Sequence, residues 1–94
     1  MPVYLVELYC KDGFKRGCHL ISQALASGFQ PGVKLKAGPW ASNEEAKLVL
    51  VMDIQNHALT FEPFSNAVAQ GVFARRRLTP IVTWSAVGNA IKET

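Results

Sequence analysis

The sequence predicts a single α+β domain. Segments rich in β-branched and aromatic residues alternate along the chain with segments whose apolar residues recur every three or four positions. The first pattern is typical of strands and the second of helices. With 94 residues, of which 49% are hydrophobic and 18% charged, the chain is long enough for one core and too apolar to stay disordered. One domain over residues 1–94 is therefore expected.

The first strand and the first helix have the clearest patterns. A strand is predicted at residues 3–10, where the sequence reads VYLVELYC. A helix is predicted at residues 14–27, because its apolar residues fall on one helical face. Gly28 follows directly and is a natural C-terminal cap.

The middle of the chain predicts two further strands. Residues 33–40 alternate at first between apolar and charged side chains, and Pro39 removes a ladder donor, so this strand is expected at a sheet edge. Residues 42–45, with the sequence SNEE, supply a turn. Residues 46–53 are almost uniformly apolar, which predicts a central strand covered on both faces.

A second helix and a fourth strand complete the pattern. The helix is predicted at residues 57–70, with either Asn56 or Thr60 as its N-cap. The fourth strand is predicted at residues 73–84. Residues 85–94 are interpreted as a tail that forms either one helical turn or an arm that crosses to a partner.

The resulting order, β-α-β-β-α-β, has a favoured arrangement. Right-handed crossovers place both helices on one face of an antiparallel sheet in the order 4-1-3-2, the ferredoxin-like topology. The central strands carry apolar residues on both sides, and the helices cover only one side. A second copy of the chain is the expected cover, giving a homodimer built as a dimeric α+β barrel. A cavity is then expected between sheet and helices or between subunits.

Three consecutive arginines lie in the fourth strand. By strand parity Arg75 and Arg77 share one face and Arg76 the other. The neighbouring first strand has one charged residue, Glu7, for which an arginine across the strands is a suitable partner.

Three interpretations of these arginines are open. In the first, the arginines are solvated edge charges that oppose aggregation. In the second, Arg75 or Arg77 pairs with Glu7 and presents its guanidinium group to a carboxylate ligand or to a partner subunit. In the third, the arginines bind a phosphate backbone.

Composition and motifs limit the classes of partner and cofactor that are expected. The net charge of +3 is small and the other basic residues are dispersed, and strand 3 lacks the aromatics that RNA-binding sheets use, so nucleic acid is not expected. Cys10 and Cys18 lack metal-site spacing, and no Gly-x-Gly-x-x-Gly or phosphate loop occurs, so neither metal nor cofactor is expected. No apolar run reaches membrane-spanning length and the N-terminus does not resemble a signal peptide, so a cytoplasmic location is expected.

Several short motifs resemble those of the dimeric α+β barrel superfamily, above all its YCII-like and muconolactone isomerase-like members. The chain has Ala-Gly-Pro at 37–39, an aliphatic third strand that ends near Asp53, and Gln-Gly-Val-Phe at 70–73. It also has Leu-Thr-Pro-Ile-Val at 78–82 and then Trp84. The similarity extends over about residues 3 to 84.

The resemblance implies an acid/base pair. YCII-like proteins carry a His-Leu in the first helix, matched by His19, and an Asp-Pro-aromatic in the second, matched by Glu62. Counting back from the glycine after that helix places Ser65 nearer the acidic position, so both assignments remain open. Histidine beside a carboxylate suits general acid/base catalysis, whereas surface roles on the two helices are the alternatives.

Three further residues are weaker candidates. Trp40, at the end of the second strand, either lines the mouth of a cavity or packs in the core or the dimer. His57 is interpreted as a surface residue of the capping region and Asp53 as an acceptor for backbone donors in the loop before the second helix.

Two classes of function follow from these observations. The first is a homodimer that binds a small anionic or aromatic compound, in the manner of an isomerase, a lyase or a metal-free monooxygenase. The second is a non-catalytic regulatory or interaction domain that uses the open face of its sheet.

Overall fold

A computed structural model describes residues 2–42 and 44–92. Asn43 of the predicted turn and the last two positions of the predicted tail lie outside the described residues. The elements are β1 (Val3–Cys10), α1 (Phe14–Ser27), β2 (Val33–Ala41), β3 (Lys47–Ile54), a short 3-10 helix (His57–Thr60), α2 (Phe61–Ala69), β4 (Phe73–Ile81) and α3 (Trp84–Lys92). No helix in the described ranges is long and apolar enough to cross a membrane.

The four strands form one antiparallel sheet in the order β2-β3-β1-β4. This is the predicted order 4-1-3-2 read from the other edge, so the α+β class and the strand order are confirmed. At the centre of the sheet, Val6 of β1 lies opposite Leu50 of β3 and Leu78 of β4. The pairing fixes which side chains share a face.

Only one face of the sheet is covered within the chain. Along β3 each buried residue alternates with a half-buried one. The core consists of apolar side chains from the strands, α1, α2 and the turn before β4: Val6, Ile21, Leu48, Leu50, Met52, Ile54, Ala67, Val72 and Phe73. The predicted central position of β3 is confirmed. Within the single chain α1 and α2 cover only one of its faces, and cover of the other face by a second copy stays a prediction.

Gly17 allows α1 to approach the sheet closely. It is buried, and a Cβ atom at this position would lie 2.9 Å from Cys10 Sγ and 3.0 Å from the ring of Phe73. Phe73 is only 3% exposed, so its ring has little room to move away.

Arg16 connects the two helices. Its guanidinium group donates to the carbonyl oxygens of Gln70 at 2.6 Å and Gly71 at 3.3 Å, at the C-terminal end of α2. Carbonyls at a helix end have no partner within the helix, and a cation suits the negative end of the helix dipole. Arg16 thereby holds α1 beside α2 over the sheet.

The helical segment before β4 is divided. Asn56 Oδ1 accepts a hydrogen bond from the Ala58 amide and caps the 3-10 helix, whereas α2 begins only at Phe61. Thr60 precedes α2 without capping it, because its hydroxyl group donates instead to the His57 carbonyl at 2.7 Å. Asn56 and Thr60 therefore have different roles in this connection.

Two predictions at strand ends are wrong. The strand predicted to reach Trp84 ends at Ile81, because Thr83 Oγ1 accepts the Ala86 amide at 3.2 Å and begins α3. Asp53 lies within β3, inside the predicted strand at residues 46–53, and what fails is its predicted role as an acceptor for backbone donors of the loop. Its Oδ1 atom is buried and accepts no hydrogen bond from the residues that the structure describes.

Replacing Gly17 by alanine should destabilise the protein although alanine favours helices. Overpacking a core lowers the free energy of unfolding by about 1–3 kcal/mol, and the higher helix propensity of alanine offsets only about 1 kcal/mol of this loss. We expect a lower urea midpoint for Gly17→Ala. Gly88→Ala is the matched control, since a Cβ atom at Gly88 in α3 meets nothing within 4 Å. Equal or higher stability of Gly17→Ala would contradict the close approach of α1.

Candidate functional site

A cavity of about 430 Å³ lies between the covered face of the sheet and the helices. Leu8, Leu50 and Met52 form part of its floor, and Ile21 of α1 and Phe64 of α2 form part of its walls. The volume falls within the range of roughly 300–1,000 Å³ that small-molecule sites occupy. A mainly apolar lining suits an apolar or aromatic ligand.

Arg76 brings a positive charge into this apolar cavity. Its Nη1 atom donates to the Thr60 carbonyl oxygen at 3.0 Å and also to Thr60 Oγ1. The guanidinium carbon lies 4.9 Å from the ring centroid of Phe64, within reach of a cation–π interaction. The side chain is thus fixed by two contacts with one residue and by stacking on another.

The surroundings of Arg76 are poor in compensating charge. Burial lowers the pKa of the Arg76 guanidinium group, which nevertheless stays protonated at neutral pH. Among the described residues that line the cavity, no aspartate, glutamate, histidine or second cation accompanies it. The arrangement can supply one positive charge and a set of directed donors to a ligand.

The opposite face of the sheet, called here the open face, carries a row of charged residues. Lys47 Nζ lies 2.6 Å from Glu7 Oε2 and 3.3 Å from Glu45 Oε2. Arg77 lies directly opposite Glu7 in the neighbouring strand. Arg75 lies opposite Tyr9, and its guanidinium carbon is 4.0 Å from the centroid of the Tyr9 ring.

The ion pair with Lys47 sets the titration of Glu7. The hydrogen bond from Lys47 lowers the pKa of the Glu7 carboxyl group, partial burial opposes this, and the charges of Lys47, Arg77 and Arg75 lower it further. The same hydrogen bond raises the pKa of Lys47. Both shifts favour the charged pair.

The predicted arginine pairing needs correction. The structure brings Arg75 and Arg77 to the same face as Glu7, as parity predicts. The direct ion-pair partner of Glu7 within the described residues is Lys47, because lysine at the start of β3 reaches the carboxylate diagonally. Neither of these arginines lines the cavity.

Arg76 is the cavity residue that sequence reasoning missed. Strand parity separates it from Arg75 and Arg77 and places it on the face of Leu78, which also lines the cavity. That signal was present in the sequence. The carboxylate of Glu7 favours Arg75 and Arg77 as the site residues instead, because these three residues share the other face.

The structure does not bring the proposed acid/base pair to the cavity. His19 is exposed on α1 and lines a second pocket together with Arg16, Cys18 and Gln70. This pocket shares Leu20 and Gln23 with the cavity. Glu62 is exposed in the first turn of α2, and Ser65 is also exposed. None of the three is among the residues that line the cavity. Their catalytic role stays a prediction.

The two remaining candidates lie in different places. Trp40 is 55% exposed at the edge of the sheet and lies opposite Val49, on the open face. It does not line the cavity, so its ligand-binding role stays a prediction. His57 begins the 3-10 helix, with its ring edge-on to Tyr4 at 6.4 Å between centroids.

Comparisons with protein families, with curated proteins and with solved structures find no match to this chain.

The stability contributed by Glu7 should depend on pH. The pKa of Glu7 is lowered below its ordinary value of 4.5, so this contribution is complete above about 4.5 and is lost as the pH falls through the lower folded-state pKa. The pKa of Lys47 is raised above its ordinary value of 10.5. The stability that Lys47 contributes is therefore complete below pH 10.5 and is lost as the pH rises through the higher folded-state pKa. We expect Glu7→Gln to melt at a lower temperature than the parent at pH 7.

The difference in melting temperature should shrink as the pH is lowered towards 3. Glu44→Gln is the matched control, because Glu44 is exposed and its carboxylate has no ion pair within the described part of the chain. It should track the parent at each pH. A Glu7→Gln deficit that is unchanged at pH 3 would show that packing, and not the ion pair, is responsible.

Proposed function

We propose that this chain is a homodimeric protein that binds a small anionic or aromatic organic molecule in the cavity between its sheet and helices. The cavity with Arg76 is the observation that carries the proposal, because it combines an apolar lining with one directed cationic group. Small-molecule sites characteristically combine a large apolar surface with a few placed polar groups.

Dimerisation is supported by the open face. Its apolar residues from the two central strands, Leu5, Val49 and Val51, are only half-buried, and Ile81 at one edge and Trp40 at the other are exposed. At roughly 25 cal/mol per Å² of apolar surface, covering such a face favours association. The open face of a second copy offers an equal area of apolar surface. It also carries both positive and negative charges at its centre, which can pair with those of the first copy.

The finer fold assignment is part of the proposal. The confirmed strand order and the packing of α1 and α2 on one face support a ferredoxin-like chain that pairs into a dimeric α+β barrel. The YCII-like and muconolactone isomerase-like resemblance is supported only by the short sequence motifs.

An isomerase- or lyase-like activity without a cofactor is a further part of the proposal. His19 and Glu62 are its candidate acid and base, and each is accessible to solvent. Neither reaches the cavity lining, so the geometry supports ligand binding more strongly than acid/base chemistry.

The open face also favours a second candidate function, a regulatory or protein-interaction domain. This face combines the exposed side chains of Trp40 and Ile81 with charged residues. Trp40 lies opposite Val49, which is the neighbour of Glu7, and Ile81 lies four positions along β4 from Arg77. Aromatic and arginine side chains are enriched at the centres of interfaces. In this case the open face binds another protein instead of a second copy.

Filling the cavity should weaken the binding of a neutral apolar probe. Ala24 of α1 is half-buried and lines the cavity, whereas Ala26 of the same helix is exposed and does not. We expect the parent and Ala26→Phe to bind 1-decanol in isothermal titration calorimetry. Ala24→Phe should bind it at least roughly tenfold more weakly, because the new ring occupies the ligand volume.

Far-ultraviolet circular dichroism checks that both variants remain folded. Equal decanol affinity in Ala24→Phe and Ala26→Phe would place the ligand outside the cavity. Failure of the parent to bind both 1-decanol and its anionic counterpart, decanoate, would remove the small-molecule function itself.

A further inference from the structure

We infer that the ligand of the cavity is an apolar monocarboxylate whose acid group binds the free edge of the Arg76 guanidinium group. The inference rests on the proposed function, since it specifies the chemical class of the molecule that the cavity takes. It assigns ligand recognition to Arg76 rather than to the arginine pair on the open face.

The donors of Arg76 are only partly used. A guanidinium group has five N–H donors, and the two on Nη1 serve the carbonyl and hydroxyl oxygens of Thr60. The three donors on Nε and Nη2 have no acceptor among the described residues. Nε and Nη2 form the side of the group that matches both oxygens of one carboxylate.

The charge of Arg76 is also unbalanced. Its two protein acceptors belong to one neutral residue, and no carboxylate is present in the described cavity lining. A partly buried charge is costly unless it is paired. Glu7 neutralises cations on the open face, so it does not serve Arg76 on the covered face.

The adjoining end of α2 adds to the positive potential. Thr60 immediately precedes α2, and its hydroxyl group bonds to His57 and Arg76 instead of capping the helix. Thr60, Pro63 and Phe64 all border the cavity, so the positive end of the α2 dipole faces the same region as Arg76. Glu62 lies in the same first turn and offsets part of this potential from outside the cavity lining, so Arg76 is the full positive charge that an anion placed here meets.

The rest of the cavity limits the ligand to one acid group and an apolar body. The floor and walls beyond Arg76 are formed largely by aliphatic and aromatic side chains such as Val6, Leu20, Met52 and Phe64. Polar side chains also line the cavity, among them Gln23, Ser27 and Gln30, but they are neutral. A second negative charge on the ligand would therefore have no cationic partner. Monocarboxylates with a hydrocarbon or aromatic body fit this lining, and phosphates and dicarboxylates do not.

The experiment compares decanoate with 1-decanol, which has the same chain but a neutral head group, by calorimetry at pH 7.5. We expect the parent to bind decanoate roughly tenfold or more tightly than decanol, as a charge-assisted hydrogen-bonded pair provides. Arg76→Gln should lose this preference and retain decanol binding, which also shows that the variant is folded. Arg76→Lys should keep only part of the preference, because lysine lacks the planar fork.

Lys15→Gln is the charge-matched control, since Lys15 is exposed on α1 and does not line the cavity. It should retain the full preference for decanoate. Decanol binding without any preference for decanoate in the parent would overturn the monocarboxylate inference and leave the proposed function standing. Loss of the preference in Arg77→Gln with retention in Arg76→Gln would assign recognition to the open face and overturn it as well. Failure of both probes to bind the parent would overturn both proposals.

Discussion

The sheet is apolar on both faces, but the helices of one chain cover only one of them. Buried Leu48, Leu50 and Met52 alternate along β3 with half-buried Val49 and Val51. This alternation defines two surfaces with different chemistry. One face forms the core and the cavity, and the other leaves apolar side chains and a row of charges accessible to a partner.

The same alternation divides the three arginines of β4. Arg75 and Arg77 belong to the open face, where Tyr9 and Glu7 are their cross-strand neighbours. Arg76 enters the cavity and is held by Thr60. One short segment therefore contributes charge to a prospective interface and a prospective ligand site. A shift of one residue in the pairing of β4 would exchange these roles.

Strand order and the single covered face follow from features that extend over many residues, such as apolar periodicity and the preference for right-handed crossovers. Details that depend on one side chain were harder to predict. Lys47 reaches Glu7 diagonally across the sheet, which parity within one strand does not reveal. Thr83 caps α3 and shortens β4, although its β-branched neighbours favour a strand. Arg76 was identifiable by parity, but its contact with Thr60 depends on the break between the 3-10 helix and α2.

The most direct test of the account is the mass of the purified chain in solution, measured by sedimentation equilibrium over a range of micromolar concentrations. We expect a particle of twice 10.3 kDa, because the proposed dimer uses a second copy to cover the open face. A single species of 10.3 kDa at every concentration would contradict it, since the apolar open face would then be stable in water.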